Sequence, residues 1–242
     1  MKIKIKLLVS PRDISEAKTV VSCGVPYIDC KNPKEGSLGA NFPWIIKKMK
    51  EIIPNNSSQL LSAAIGDFAD LPGSASLAAL GAAVSGADII KVGLKGPSNE
   101  KQGIKLMKKV VKAVKEYNKD IIVVAAGYAD RTRMKTSPMF LDIPAIAANS
   151  GANIAMLDTF IKDGKCIFDF LNVDQLIQFK ENAKEANIEV ALAGSLKMDD
   201  IPKIKEISPD IIGVRSAVCE GFDRNNGTIK ADLINNLMKE LN

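Results

Sequence analysis

The chain has 242 residues, 46% of them hydrophobic, a formal net charge of +5 and no histidine. That is enough apolar material for the core of one large α/β domain, and it removes histidine, the commonest acid–base side chain near neutral pH, from any mechanism. The excess positive charge sits on lysines scattered along helical patterns such as Lys105 to Lys119, with five arginines in all; this reads as solvated helix faces rather than a nucleic-acid surface, and as a mild field favouring anionic substrates such as phosphate esters.

In chain order, the N-terminus alternates basic and apolar residues like a strand, Ile5–Ser10, and its apolar stretch is too short for a signal peptide. A Cys23-Gly-Val-Pro turn feeds a second strand, Tyr27–Lys31, which carries Asp29 and ends on Lys31. The polar loop that follows, residues 32–42, leads to a helix start at Pro43, where proline suits the first turn, beside the only tryptophan, Trp44. A third strand spans Leu60–Gly66, and a fourth, Ile89–Leu94, places Lys91 among apolar residues. From Gly103 to Tyr117 the spacing of Ile104, Met107, Val110, Val111 and Val114 predicts an amphipathic helix. The fifth strand, Ile121–Gly127, runs into Tyr128 and Asp130, either of which could reach a site at its end. The sixth, Ile154–Thr159, holds Asp158; the seventh, Val190–Ser195, ends in Gly194-Ser195; the eighth, Ile211–Ala217, ends in Arg215-Ser216-Ala217.

Eight strands alternating with helices predict a parallel sheet, and at this length a single (β/α)8 TIM barrel over residues 1–242. A doubly wound open sheet is the alternative, but no Gly-x-Gly-x-x-Gly turn follows the first strand. An internal echo supports the barrel: Ser85-Gly-Ala-Asp-Ile-Ile and Ser150-Gly-Ala-Asn-Ile-Ala precede the fourth and sixth strands, with related turns before the second and eighth. Aligning the four units sets Lys31, Gly93, Asp158 and Arg215 at one depth, with Asp29, Lys91, Met156 and Gly213 two residues earlier. Strand side chains alternate faces, so both sets point the same way. If that way is inward, Asp29, Lys31, Lys91, Asp158 and Arg215 converge at the C-terminal mouth, where this fold keeps its active sites.

Charged residues are rarely buried without partners, and a structural ion-pair network is the alternative, although such networks rarely need lysines at strand ends. Two strand lysines instead suggest amine chemistry, because desolvation lowers a lysine pKa and yields a nucleophile for carbonyls. Spacing alone leaves open which lysine attacks. Gly194, Ser195, Arg215 and Ser216, after the last two strands, are the expected phosphate site: glycine admits the backbone, serine offers a hydroxyl and arginine clamps bidentately. Cys23, Cys30, Cys166 and Cys219 form no Cys-x-x-Cys pair, so metal binding by thiolates is not expected; amine chemistry would itself supply the activation, so no metal and no cofactor are expected. No apolar run reaches the roughly 18 residues of a membrane span. The expectation is a soluble, cytoplasmic homo-oligomer that binds neither membrane nor nucleic acid.

Several segments resemble one family. They are Asp29-Cys-Lys-Asn-Pro-Lys-Glu-Gly-Ser-Leu-Gly-Ala-Asn-Phe-Pro-Trp, Gly86-Ala-Asp-Ile-Ile-Lys-Val-Gly-Leu, Val123-Val-Ala-Ala-Gly-Tyr-Ala-Asp, Met156-Leu-Asp-Thr with Ile161-Lys-Asp-Gly-Lys, Ala191-Leu-Ala-Gly-Ser and Asp223-Arg-Asn-Asn-Gly. Together they resemble (5-formylfuran-3-yl)methyl phosphate synthase over essentially the whole chain. The resemblance implies a lysine-dependent, aldolase-like lyase. It would join two molecules of glyceraldehyde 3-phosphate with loss of phosphate and water, making the furan precursor of methanofuran. It implies Lys31 as the Schiff-base lysine and Lys91 as the proton-transfer residue, with Asp29, Asp158 and Lys162 in the pocket. The alternatives from the residues are another class I aldolase-type sugar-phosphate enzyme and a non-catalytic phosphate-binding barrel.

Overall fold

The computed structural model describes residues 5–241; Met1–Lys4, read above as the approach to the first strand, lie outside them. Eight parallel strands close on themselves in chain order: β1 (Lys6–Val9), β2 (Tyr27–Cys30), β3 (Leu60–Asp67), β4 (Ile89–Gly93), β5 (Ile122–Tyr128), β6 (Ile154–Asp158), β7 (Glu189–Leu192) and β8 (Ile211–Val214). The seam pairs Leu8 of β1 with Gly213 of β8. The helices are α1 (Ile14–Ser22), α2 (Pro43–Ile52), α3 (Pro72–Val84), α4 (Glu100–Tyr117), α5 (Ile143–Ser150), α6 (Val173–Glu185), α7 (Ile201–Ile207) and α8 (Ala231–Leu241). This is the (β/α)8 barrel that the eight strand patterns predict, with strand boundaries shifted by up to three residues.

Period-two alternation sorts each strand between two cores. Leu8, Ile89, Val124, Ile154, Met156, Ala191 and Ile211 pack inside the barrel. Ile28, Leu61, Ile90, Val123, Leu157, Val190 and Ile212, on the other face, pack under the helices. The interior is therefore a filled apolar floor, and a site has room only above it, at the strand ends.

Local chemistry fixes the helix starts. The Asp13 carboxylate accepts the Glu16 N–H at 2.9 Å to begin α1, and Asn99 accepts from Gln102 N at 3.1 Å to begin α4. α4 buries Leu106, Met107, Val110 and Val114, while Ile104 and Val111 lie at the edge of the stripe. It meets α5 at Gly103, where a Cβ would come within 2.6 Å of Ile146 Cδ1.

One irregularity bears on the site. Relative to β4, β3 carries an extra residue between Ala64 and Asp67, with Gly66 at φ +97°. Such a bulge reverses the alternation beyond it, so Asp67 faces inward with Ala64. Gly93, opposite Asp67, has no room for a Cβ, which would overlap the Asp67 carboxylate and approach the Tyr128 hydroxyl.

Candidate active site

The nine residues expected to form the site from the sequence line one cleft at the C-terminal mouth: Asp29, Lys31, Lys91, Asp158, Lys162, Gly194, Ser195, Arg215 and Ser216. Asp29 and Lys91 rise from the floor on β2 and β4, fully buried, and Lys31 follows β2 with its side chain 10% exposed.

One carboxylate organises both lysines. Asp29 Oδ1 accepts from Lys91 Nζ at 2.5 Å; its Oδ2 accepts from Ser10 Oγ at 2.7 Å and lies 3.8 Å from Lys31 Nζ. Lys91 is thus tied into a short charge-assisted bond, whereas Lys31 is near the charge without bonding to it. Burial pulls the Lys31 pKa down to about 8; Asp29 and Asp158 oppose that, and the Lys162 and Lys91 charges add to it.

A second ion pair faces the first. Lys162 Nζ donates to Asp158 Oδ1 at 2.5 Å and to Thr159 Oγ1 at 3.1 Å, and Thr159 N donates to Asp158 Oδ1 at 2.7 Å. Burial alone would raise the Asp158 pKa; Lys162, Lys31 and the Thr159 N–H outweigh it and leave the carboxyl below its ordinary value. The buried charges are therefore paired, as the ion-pair explanation requires, and they also line an open cleft, which that explanation does not.

The loop after β2 closes over this pair. Asn32 N donates to Gly39 O at 2.9 Å, Leu38 is buried against the barrel interior, and Ser37 Oγ donates to Thr159 O at 2.9 Å. At the far side Gly194 and Ser195 adopt left-handed backbone conformations, φ +106° and +54°. A Cβ at Gly194 would press on Thr159, so glycine keeps the end of β7 close to the Asp158 loop.

Arg215 is held by protein partners. Its Nη1 donates to Ser10 O at 2.9 Å and Glu16 Oε2 at 2.7 Å, its Nη2 to Glu16 Oε1 at 3.3 Å, and its Nε to Arg224 O at 2.9 Å. The Nη1–Nη2 edge of its guanidinium, one edge a bidentate acceptor could meet, is already joined to Glu16. Asp130 does not line the cleft; it accepts from Phe160 N and Ile161 N at 2.7 and 3.0 Å and holds the loop after β6. Tyr128 stays beneath the mouth, its hydroxyl donating to Asp67 at 2.9 Å.

Sequence reasoning passed over Ser10, Ser37, Asp67, Thr159 and Arg224. Ser10 was within reach of it, two residues beyond the inward Leu8. Asp67 was not, because the bulge changes its face, and Arg224 was not placed because loop residues carry no period.

A family model described as 4-HFC-P synthase matches residues 7–238. A Methanocaldococcus jannaschii protein named (5-formylfuran-3-yl)methyl phosphate synthase is 53% identical over 235 residues, which are 97% of this chain and 98% of that one. Proteins of the same name from Methanosarcina acetivorans and Methanothermobacter thermautotrophicus are 50% and 48% identical over 236 residues, again 97% of this chain and 98% of theirs. Among solved structures, one of KGPDC from Streptococcus mutans superposes with a TM-score of 0.67 at 15% identity, covering 98% of this chain and 97% of that one. A 3-hexulose-6-phosphate synthase gives 0.63 at 19%, covering 98% of each. At such identities the structural likeness speaks for the barrel alone.

Proposed function

The chain belongs to the 4-HFC-P synthase family, and from that premise we propose that it works as one catalytic domain converting two molecules of glyceraldehyde 3-phosphate to (5-formylfuran-3-yl)methyl phosphate, a furan precursor of methanofuran. Lys31 attacks an aldehyde carbon as the neutral amine, and loss of water leaves an iminium. The iminium draws electrons from the neighbouring C–H, which Lys91 or Asp158 relieves of its proton to give an enamine. The enamine carbon forms the new C–C bond to the second aldehyde. Elimination of one phosphate, ring closure, release from Lys31 and dehydration complete the furan; the atoms balance with one phosphate and two waters lost in all.

The observation that carries this reading is the unequal hold of Asp29 on the two lysines. Lys91, at 2.5 Å, is hydrogen-bonded to the carboxylate and held in place for proton transfer, and Lys31, at 3.8 Å with its pKa at about 8, is left as the available amine. With that pKa roughly a tenth of Lys31 is neutral at pH 7, against well under a thousandth for an ordinary lysine.

Borohydride reduction in the presence of glyceraldehyde 3-phosphate, followed by peptide mass spectrometry, tests it. A reduced adduct is expected on Lys31 and on no other lysine, and none in Lys31→Arg, whose guanidinium stays protonated. Furan formation by folded Lys31→Arg, read by near-ultraviolet absorbance, would disprove the assignment. An adduct without the furan chromophore would point to a simpler aldolase, and a binding-only barrel would give neither.

A further inference from the structure

Two arginines stand at the β8 end of the cleft, and the structure treats them oppositely. Four of the five N–H donors of Arg215 are taken by Glu16, Ser10 O and Arg224 O. Arg224, on the loop before α8, is half-buried, and its guanidinium has no hydrogen-bond or ion-pair partner among the described residues. It lines the catalytic cleft together with Ser195 and Ser216, and with them also lines the pocket that adjoins it. Burial lowers its pKa from the ordinary arginine value, and Asp158, across the cleft, is the main charge opposing this.

The loop is built to present that one side chain. Asp223 Oδ1 accepts from Asn225 N at 2.8 Å and Asn226 N at 3.2 Å, and Gly227 N donates to Asp223 O at 2.9 Å. Gly227 admits no Cβ, which would overlap Glu220 O. From below, Arg215 Nε holds the Arg224 carbonyl, and Arg12 Nη1 reaches Asn225 O at 3.4 Å. The backbone on either side of Arg224 is thus held in place, while its own fork is left unpaired beside the cleft. A planar fork of unpaired donors in such a place is suited to bidentate recognition of a phosphate monoester.

We propose that Arg224, not Arg215, grips the phosphate of the substrate against Ser195 and Ser216, and that Arg215 is a positioning residue acting through the Arg224 backbone. This rests on the reading of the cleft as a site for a phosphorylated aldehyde, and its tests are chosen to fail separately from that reading.

Inorganic phosphate is titrated calorimetrically into wild type, Arg224→Ala, Arg224→Lys, Arg215→Lys and the Arg215→Lys/Arg224→Ala double variant. In parallel, KM and kcat are measured with glyceraldehyde 3-phosphate, and Lys31 is trapped with glyceraldehyde, which has no phosphate. Losing a hydrogen bond to a charged group predicts phosphate affinity about 10- to 100-fold weaker in Arg224→Ala, a KM raised by a similar factor, and an intermediate result for Arg224→Lys. Glyceraldehyde trapping in Arg224→Ala should match wild type, which also shows that the barrel is intact; Arg224→Lys carries the test if the alanine variant does not fold. The double variant should bind phosphate no more weakly than Arg224→Ala alone. Phosphate affinity within twofold of wild type in Arg224→Ala overturns the proposal, as does an absence of phosphate binding in both. Weaker phosphate binding with unchanged KM also overturns it, since the site would then hold only the released ion. A further tenfold loss in the double variant overturns the positioning role of Arg215. Failure of wild type to trap glyceraldehyde 3-phosphate on Lys31 would refute the imine reading and leave the phosphate titration standing.

Discussion

Asp29 meets two lysines with two oxygens, and the asymmetry of those contacts sets measurable acid–base behaviour. Because Lys31 must be neutral to attack and its pKa lies at about 8, the rate of imine formation should climb as pH rises through about 8 and then level off. Asp29 raises the Lys31 pKa, so Asp29→Asn should move that limb to lower pH while turnover falls, because Lys91 loses its tether. Rapid-quench trapping at a series of pH values measures the limb independently of turnover; a limb moved to higher pH would contradict the electrostatic account. Lys91→Ala should leave the Lys31 adduct in place yet cut furan formation by about 10²–10⁴-fold, the usual contribution of a proton-transfer group. Trapping that disappears in Lys91→Ala and persists in Lys31→Ala would reverse the two roles.

The β2–α2 loop and the β3 bulge show how elements deliver these side chains. Lys31 leaves β2 into a loop closed by the Asn32–Gly39 backbone bond, and a Cβ at Gly39 would overlap the Asn32 carbonyl. Gly39→Ala should therefore cost about 1–3 kcal/mol, as overpacking does, and should lower furan formation, since the displaced segment carries Lys31. Urea unfolding and product absorbance check both parts; unchanged midpoints would mean that the loop yields without strain. Its polar composition marked this segment as a loop in the sequence. What composition did not reveal is that Ser37 and Leu38 fold back onto Thr159 O and the barrel interior, contacts made 122 residues apart in the case of Ser37. The bulge was equally hidden, because alternation in Leu60–Gly66 reads the same with or without an inserted residue.

Across the whole barrel, the Glu16–Arg215 pair joins the segment after β1 to the end of β8, 199 positions apart, beside the strand seam. Both groups are buried, and leaving one charge unpaired there typically costs about 3–5 kcal/mol, the loss expected for Glu16→Ala by chemical denaturation. Burial would raise the Glu16 carboxyl, but its bonds to Arg215 and Arg12 hold it below the ordinary 4.5. A carboxyl depressed by folding adds stability above its unfolded pKa and loses it as pH falls through the folded value. Wild type should thus lose stability on acidification below about 4.5 more steeply than Glu16→Ala, and parallel acid titrations of the two would refute this. Among the described residues no helix is long and apolar enough to cross a membrane.

The strand count, the shared face of the four even-numbered strands and the grouping of Asp29, Lys31, Lys91 and Asp158 on it could be read from the chain, because period-two alternation and repeated turns are local properties that a closed sheet preserves. The division of labour could not. Lys31 and Lys91 look equivalent in sequence, and it is their distances to Asp29, set by packing between β2 and β4, that separate them. Arg215 and Arg224 differ in the same way: each is an arginine near the chain's end, and the buried Glu16, brought in by barrel closure, engages one and leaves the other facing the cleft. Ion pairing depends on which charges are brought within a few ångströms of each other, and contacts across the closing seam have no trace in local spacing.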